Sequence, residues 1–263
     1  MLIGGIFGAA LMTLFSVAPP PKTTPAASRQ VRVAAAADLK FALDEVTSKF
    51  RAVRPDIEVT ITYGSSGNFY SQLSNRAPYD LFLSADAEYP RKLIEAGLAV
   101  RGSDFLYARG RIVLWVRKDS TLDIEKRGLD ALLDPSVRKI AIANPRHAPY
   151  GRAAEAAMKS SGIYDRCADR MVLGENIAQT AQFIESGAAD AGLIALSLAV
   201  APAMRDQGRF WTVPREAHPP VDQGGAILTW ASHAAAAGAF KDFLIGESGR
   251  AILDRYGFER PGR

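Results

Sequence analysis

Hydrophobic positions along the chain follow two periods, and each period predicts a different element. Short continuous apolar runs at 31–37, 57–63 and 80–85 predict buried strands. Between the first two, apolar residues recur at helical spacing on one face (Leu39, Ala42, Leu43, Val46 and Phe50). The order strand, helix, strand, helix, strand predicts an α/β fold with parallel strands and crossover helices.

A second α/β stretch follows with the same pattern. Apolar runs at 111–116, 139–143 and 191–196 predict further strands, and 221–230 crosses back before two short closing helices. The simplest topology has two lobes and two crossings, with the second lobe inserted into the first. We therefore divide the chain into a leader at 1–30, the first part of lobe 1 at 31–110, lobe 2 at 111–228 and the return of lobe 1 at 229–263.

The stretch Tyr63-Gly-Ser-Ser-Gly-Asn-Phe-Tyr70 connects a predicted strand to a predicted helix. A helix start leaves backbone N–H groups unpaired at the positive end of the helix dipole, so it can hold an anion, although an ordinary capped helix has the same sequence pattern. Three more predicted helices begin in a similar way, near Asp38, Pro149 and Asn176. Ligands of parallel α/β sheets lie outside the carboxyl ends of the strands, so Asp38 and Ser66 can converge on one crevice.

Composition narrows the possible functions only a little. The chain has 263 residues, a formal charge of +4 and scattered basic residues, a distribution that gives little support to nucleic-acid binding. Its single cysteine, Cys167, excludes an internal disulfide. The apolar run at 2–18 and the proline-rich tract after it predict an export signal, or a membrane anchor if the segment is not cleaved.

Catalytic signatures are missing from the sequence. The 64–67 segment is one residue short of a nucleophile elbow, and the three histidines show no metal-ligand spacing. The acidic residues Asp80, Asp86 and Asp190 fall at predicted element ends, where helix capping explains them. We expect no enzyme activity, no catalytic residue and no metal-cation ligand.

Six motifs resemble those of periplasmic molybdate-binding proteins of ABC transporters, and they occur in the same order from residue 31 to residue 258. They are Ala34-Ala-Ala-Ala-Asp-Leu39, Tyr63-Gly-Ser-Ser-Gly67, Ala77-Pro-Tyr-Asp-Leu-Phe-Leu-Ser-Ala-Asp86, the Asn144-Pro and Ala148-Pro-Tyr-Gly151 pair, Glu175-Asn-Ile177 and Arg255-Tyr-Gly-Phe258. Each motif alone is weak, but six in register over one domain are specific.

The resemblance implies a two-lobe periplasmic binding protein fold of type II, with a mixed, mostly parallel sheet and flanking helices in each lobe. It implies that molybdate or tungstate is bound between the lobes without a cofactor or counter-ion. The implied ligand groups are the N–H of Asp38 (with Ala37), the N–H and hydroxyl of Ser66, and the N–H groups of Tyr150 and Ile177. It also implies a periplasmic monomer that serves a membrane permease and its ATPase.

Two positions depart from the family pattern. Many relatives have Ser or Asn at Asp38, and a carboxylate about 4 Å from a dianion costs on the order of 2 kcal/mol even in water. We expect the Asp38 carboxylate to turn away and cap its helix or pair with a cation; otherwise it is protonated, or the ligand differs. Some relatives have a tyrosine hydroxyl where this chain has Ala195. Sulfate or a small carboxylate therefore remains an alternative ligand, and Arg146 and Arg152 are the candidates for holding a carboxylate.

Overall fold

The computed structural model describes residues 29–261, and its strands form two separate five-stranded sheets. The predicted signal segment at 1–28 lies outside the described residues. With elements numbered along the chain, the strands of the first sheet are β1 (Arg29–Ala36), β2 (Ile57–Gly64), β3 (Leu81–Ser84), β4 (Phe105–Gly110) and β10 (Val221–Ile227). The strands of the second sheet are β5 (Ile112–Arg117), β6 (Ile140–Ala143), β7 (Met171–Gly174), β8 (Ala191–Ala195) and β9 (Gly208–Thr212).

Helices α1 to α10 surround these sheets. The helices that accompany the first sheet are α1 (Lys40–Val53), α2 (Ser66–Ser74), α3 (Glu88–Glu95), α9 (Ala234–Ile245) and α10 (Glu247–Arg255). Those that accompany the second are α4 (Ile124–Arg127), α5 (Pro149–Ser160), α6 (Tyr164–Cys167), α7 (Ile177–Glu185) and α8 (Leu196–Ala199).

Both sheets are mixed. In the first, of order β2-β1-β3-β10-β4, strand β1 runs parallel to β2 and β3, whereas β10 runs antiparallel to β3 and β4. In the second, of order β7-β6-β8-β5-β9, strand β6 runs parallel to β7 and β8, whereas β5 runs antiparallel to β8 and β9. The predicted fold class, two lobes with mixed sheets flanked by helices, is confirmed.

The first sheet is covered on both faces, which explains why its central strands are apolar without alternation. Val33 on β1 packs in one hydrophobic cluster with residues of α1, α9 and α10. Its neighbour Ala34 packs in another cluster with residues of α2 and α3. Successive side chains of a strand point to opposite faces, so one short strand anchors helices on both sides.

The two crossings between the sheets lie close together. The chain leaves the first sheet at Gly110, at the end of β4, and enters β5 at Ile112. It returns before Val221, because β10 pairs with β3 and β4. The division at 228/229 expected from the sequence therefore lies one strand too late. The apolar residues of β10 predict that this strand is buried. Hydrophobicity does not show which of the two sheets it joins.

Candidate functional site

A small cavity, with about 10 Å³ of space for the centres of water molecules, lies where the two sheets face each other. Its lining follows the carboxyl ends of five strands, β1, β2 and β3 of the first sheet and β6 and β7 of the second: Ala36, Ala37, Asp38, Gly64, Ser65, Ser66, Ala85, Ala148, Pro149, Tyr150 and Ile177. All five residues predicted to bind the ligand, Ala37, Asp38, Ser66, Tyr150 and Ile177, are among them. The structure thus brings the predicted residues together, and their role as ligands stays a prediction.

Three helix starts direct backbone N–H groups to this cavity. Ser66 and Ile177 are the first residues of α2 and α7, and Tyr150 is the second residue of α5, after Pro149. Within residues 29–261, no protein acceptor is found for the N–H groups of Ser66, Tyr150 and Ile177. The predicted N-cap Asn176 is confirmed: its side chain accepts from the next two N–H groups, those of Ala178 and Gln179, and leaves the Ile177 N–H out of the cap.

The Ser66 hydroxyl oxygen already accepts a hydrogen bond from the protein, so its hydrogen is what the hydroxyl can offer to a ligand. The N–H of Ala85, at the end of β3, donates to Ser66 Oγ over 2.9 Å. Ser66 is 1% exposed, so its O–H hydrogen has to find an acceptor inside the protein or in a ligand. An anion in the cavity would supply that acceptor.

Ser65 has a different role from the helix cap suggested by the sequence. It is the N-cap residue of α2, but its side chain makes no capping bond. Its Oγ donates instead to the carbonyl of His147 over 2.6 Å, in the loop before α5. The N–H of Gly67 donates to the same carbonyl over 2.9 Å. These bonds join the start of α2 to the second lobe.

Asp38 does not behave as expected from the sequence. It lies inside a 3-10 turn, Ala37–Leu39, that begins without a side-chain cap, and no cation within 29–261 forms an ion pair with it. Its Oδ2 accepts hydrogen bonds from Tyr150 Oη at 2.9 Å and Gln223 Nε2 at 2.6 Å, and Gln223 Nε2 also donates to Tyr150 Oη at 3.0 Å. The expectations of capping and of pairing with a cation were wrong, because the side chains that bond to the carboxylate, Tyr150 and Gln223, come from distant elements.

The remaining oxygen, Asp38 Oδ1, is buried and has no hydrogen-bond partner in the described protein. Burial raises the pKa of Asp38 to about 6, although the hydrogen bonds from Gln223 and Tyr150 act in the opposite direction. Asp38 is also the only residue lining the cavity that has an ionisable carboxyl or a basic group. The predicted anion site thus contains an acidic group and no basic side chain to offset it.

Sequence analysis missed three polar groups around Asp38. They are the amide of Gln223, the phenol of Tyr150, and the hydroxyl of Ser197, which donates to the Asp38 carbonyl over 2.8 Å. A polar residue inside the apolar run at 221–230 was the available signal for Gln223. Ala195, where some relatives supply a tyrosine, is fully buried at the end of β8, two residues before Ser197.

Arg152, one of the two arginines considered for a carboxylate ligand, is occupied by another contact. Its guanidinium, from α5, forms an ion pair with Asp86 and donates to Tyr89 Oη over 3.3 Å in the first lobe. The other, Arg146, is exposed. Neither lines the cavity, so the geometry does not favour binding of a carboxylate by an arginine side chain.

Comparison with known proteins agrees with this architecture. Residues 31–259 match the model of the family described as bacterial extracellular solute-binding protein. The chain belongs to this family. Solute binding, rather than catalysis, is what the family name describes.

Individual relatives of this solute-binding family match over most of their length. The molybdate-binding protein ModA of Rhodobacter capsulatus is 36% identical over 89% of this chain and 90% of its own. The molybdate-binding protein ModA of Azotobacter vinelandii is 34% identical over 89% and 91%. The solved structure of the periplasmic molybdate-binding protein of A. vinelandii superposes with a TM-score of 0.82 at 33% identity, covering 88% of this chain and 99% of that one. The resemblance inferred from the six motifs is therefore confirmed.

Metal-ligand clusters and membrane-spanning helices are both absent from the described residues. Within 29–261, no three or more His, Cys, Asp or Glu side chains are grouped so that they could hold a metal ion. In the same range, no helix is both long enough and apolar enough to cross a membrane.

Proposed function

We propose that the protein is the extracytoplasmic binding component of an ABC importer and that its solute is molybdate, with tungstate as a second ligand. The intact tetrahedral oxyanion lies in the cavity between the lobes. Its oxygens accept hydrogen bonds from the N–H groups of Ala37 or Asp38, Ser66, Tyr150 and Ile177 and from the Ser66 hydroxyl. No cofactor takes part, and the protein contacts oxygens rather than the metal.

One observation carries this proposal. Three unpartnered backbone N–H groups and one hydroxyl, all on helix starts and drawn from both lobes, line a single cavity with about 10 Å³ of space for the centres of water molecules. That space admits the centre of about one water molecule, so the site suits a small, compact ligand rather than a drug-sized one. Each helix start adds the favourable end of its dipole, which stabilises an anion by roughly 0.3–2 kcal/mol.

The donor set is sufficient for tight binding. A hydrogen bond to a charged acceptor contributes roughly 1.5–3 kcal/mol, and the site offers about five such bonds. After the cost of lobe closure, this sum supports a submicromolar dissociation constant. Sulfate has the same charge and shape as molybdate, so discrimination between them has to come from the size of the closed cavity.

The proposed location and partners follow from the same assignment. The protein acts in the periplasm as a monomer, and a membrane permease with its ATPase receives the loaded, closed form. The periplasmic relative of A. vinelandii supports this location. Hinge closure around a ligand is the known way in which such proteins signal occupancy.

Calorimetric titration of the domain from residue 29 onward, with molybdate, tungstate and sulfate in turn, tests the proposal. We expect tight one-to-one binding of the first two anions and no heat with sulfate. Tight binding of sulfate, or no binding of any of the three, would contradict it.

The Ser66→Ala variant tests the site itself. It removes one donor to a charged acceptor, so we expect molybdate affinity to fall about 10- to 100-fold. The matched control is Ser71→Ala on the same helix, where the serine is exposed and far along α2. Equal molybdate affinities of the two variants would show that the Ser66 hydroxyl does not bind the anion.

A further inference from the structure

The charge of the cavity is unusual for an anion site. A binding site for a dianion normally presents donors, yet this cavity is lined by the carboxyl group of Asp38 and by no basic side chain. Asp38 is 1% exposed, and no ion pair within 29–261 compensates its charge. An ionised Asp38 would repel the incoming anion across a medium that screens poorly.

The two oxygens of Asp38 are not equivalent. Oδ2 accepts from Tyr150 Oη and Gln223 Nε2, so the positions around it are taken by donors. Oδ1 is buried without any partner in the described protein. A proton on the carboxyl group therefore belongs on Oδ1, where it leaves both bonds to Oδ2 intact.

We propose that the site binds its oxyanion together with one proton, which Asp38 carries on Oδ1 and donates as a hydrogen bond to an oxygen of the anion. The proton comes from solvent, and no covalent bond changes. This inference rests on the proposed function. It adds the Asp38 side chain to the binding groups and makes the ligand, in effect, a dianion plus a proton.

The surroundings of Asp38 contain no other group that could take this role. On α5 and β4, the phenols of Tyr150 and Tyr107 face it, and burial raises the pKa of both well above the ordinary value, so both stay neutral. Gln223 on β10 and Ser197 on α8 do not titrate. In the adjoining loops, the side chains of His147 and Glu175 lie 3.4 Å apart, and the His147 ring contacts Ser65.

The proposed proton makes the affinity for the anion depend on pH in a definite direction. Burial already raises the pKa of Asp38 to about 6, and a bound dianion raises it further. At pH 7 to 8.5 the free protein has the ionised form, whereas the complex has the neutral acid. Binding then takes up close to one proton, and the affinity falls about tenfold for each unit of rising pH.

Calorimetry of molybdate binding in buffers of different ionisation enthalpy, at pH 7.0, 7.75 and 8.5, measures this uptake directly. For the unaltered protein we expect nearly one proton per anion and an affinity about 30-fold lower at pH 8.5 than at pH 7.0. Asp38→Asn mimics the neutral acid and keeps an oxygen for Tyr150 and Gln223. We expect this variant to bind without proton uptake, independently of pH, and more tightly than the unaltered protein at pH 8.5.

The outcomes separate this inference from the proposed function. Tight molybdate binding by the unaltered protein with no proton uptake overturns the inference and leaves the function in place. A pH dependence that persists in Asp38→Asn and disappears in His147→Gln assigns the proton to His147 and also overturns it. No molybdate binding by the unaltered protein at any pH rejects the proposed function itself. If Asp38→Asn does not fold, the buffer comparison on the unaltered protein and on His147→Gln still decides, because uptake that is lost with His147 overturns the inference and uptake that persists supports it.

Discussion

At the scale of single residues, the site depends on polar groups buried without charged partners. Asp38, Tyr150 and Gln223 are each almost fully buried and satisfy one another only in part, since Asp38 Oδ1 and Gln223 Oε1 have no partner in the described protein. A buried polar group without a partner costs about 1–3 kcal/mol, and more when it is charged. The cluster is therefore kept at the expense of stability, which is typical of a functional site.

The Asp38→Asn variant makes this cost measurable. The pKa of Asp38 is about 6 in the folded protein against an ordinary 3.8, so the folded state binds the proton more tightly than the unfolded state. The free energy of unfolding thus falls as pH rises from about 4 to about 6 and stays lower above that range. We expect Asp38→Asn to be more stable than the unaltered protein by on the order of 2–3 kcal/mol at pH 7.5, and by far less at pH 4.

Urea unfolding of both proteins at pH 4, 5, 6 and 7.5, without ligand, checks this prediction. The difference between the two proteins should grow with pH and level off near pH 7. A difference that is constant over the whole range would show that Asp38 has the same pKa in the folded and unfolded states. The asparagine would then act through packing alone.

At the scale of elements, the helix starts do two things at once. They present N–H groups to the cavity, and one of them also forms the contact between the lobes. Gly67, the second residue of α2, lies so close to the second lobe that a Cβ there would be 2.6 Å from the His147 carbonyl oxygen and 2.8 Å from its Cα. Only glycine fits when the lobes are closed, although nothing in the α2 helix itself requires it.

The Gly67→Ala variant should therefore separate folding from closure. Alanine favours a helix over glycine by roughly 0.5–1 kcal/mol, so we expect thermal stability to be unchanged or slightly increased. Overpacking at the lobe contact costs roughly 1–3 kcal/mol, so molybdate affinity should fall about 5- to 150-fold. The control is Gly238→Ala in α9, where an added Cβ has its nearest neighbour at 4.0 Å, the Ile227 Cδ1. A matching loss of affinity in the control would mean that the lobe contact is not the cause.

The elements also show how far sequence reasoning extends. Local signals were sufficient for the starts of α5 and α7, because Pro149 and the Asn176 cap fix these helices within a few residues. They failed where the partner is distant in sequence. The carboxyl of Asp38 is bonded by Gln223, 185 positions away, and the sheet that β10 joins is decided by pairing with β3. Hydrophobic period and capping preference contain no information on such pairs.

At the scale of the whole molecule, the lobes are joined by two short crossings and by both apolar and polar contacts. Around the cavity, the second lobe bonds to the first through the His147 carbonyl, Tyr150 Oη and Ser197 Oγ. Further out, Arg152 of α5 joins Asp86, and its guanidinium lies 5.8 Å from the centre of the Tyr89 ring. Because neither Arg152 nor Asp86 lines the cavity, we expect this outer contact to affect the closure of the lobes rather than the recognition of the anion.

The Arg152→Gln variant tests the outer contact. The arginine side chain is 41% exposed, so the ion pair is screened and contributes about 0.2–1 kcal/mol to closure. We expect the dissociation constant for molybdate to rise about two- to fivefold in low salt, and by less in 0.5 M salt. Arg152 is the better choice than Asp86, because Asp86 also accepts the Glu88 N–H at the start of α3 over 2.9 Å.

The matched control for Arg152→Gln is Arg91→Gln. Arg91 pairs with Glu88 on its own helix α3, so this ion pair exists whether the lobes are open or closed. Calorimetry should show that Arg91→Gln binds molybdate as tightly as the unaltered protein. Small-angle scattering should show the same radius of gyration of the closed form for both variants at saturating molybdate. If Arg152→Gln were fully closed at saturation but bound as tightly as the control, the ion pair would add nothing to closure. The closed form would then depend on the remaining contacts between the lobes, including those around Asp38, Ser65 and Ser197.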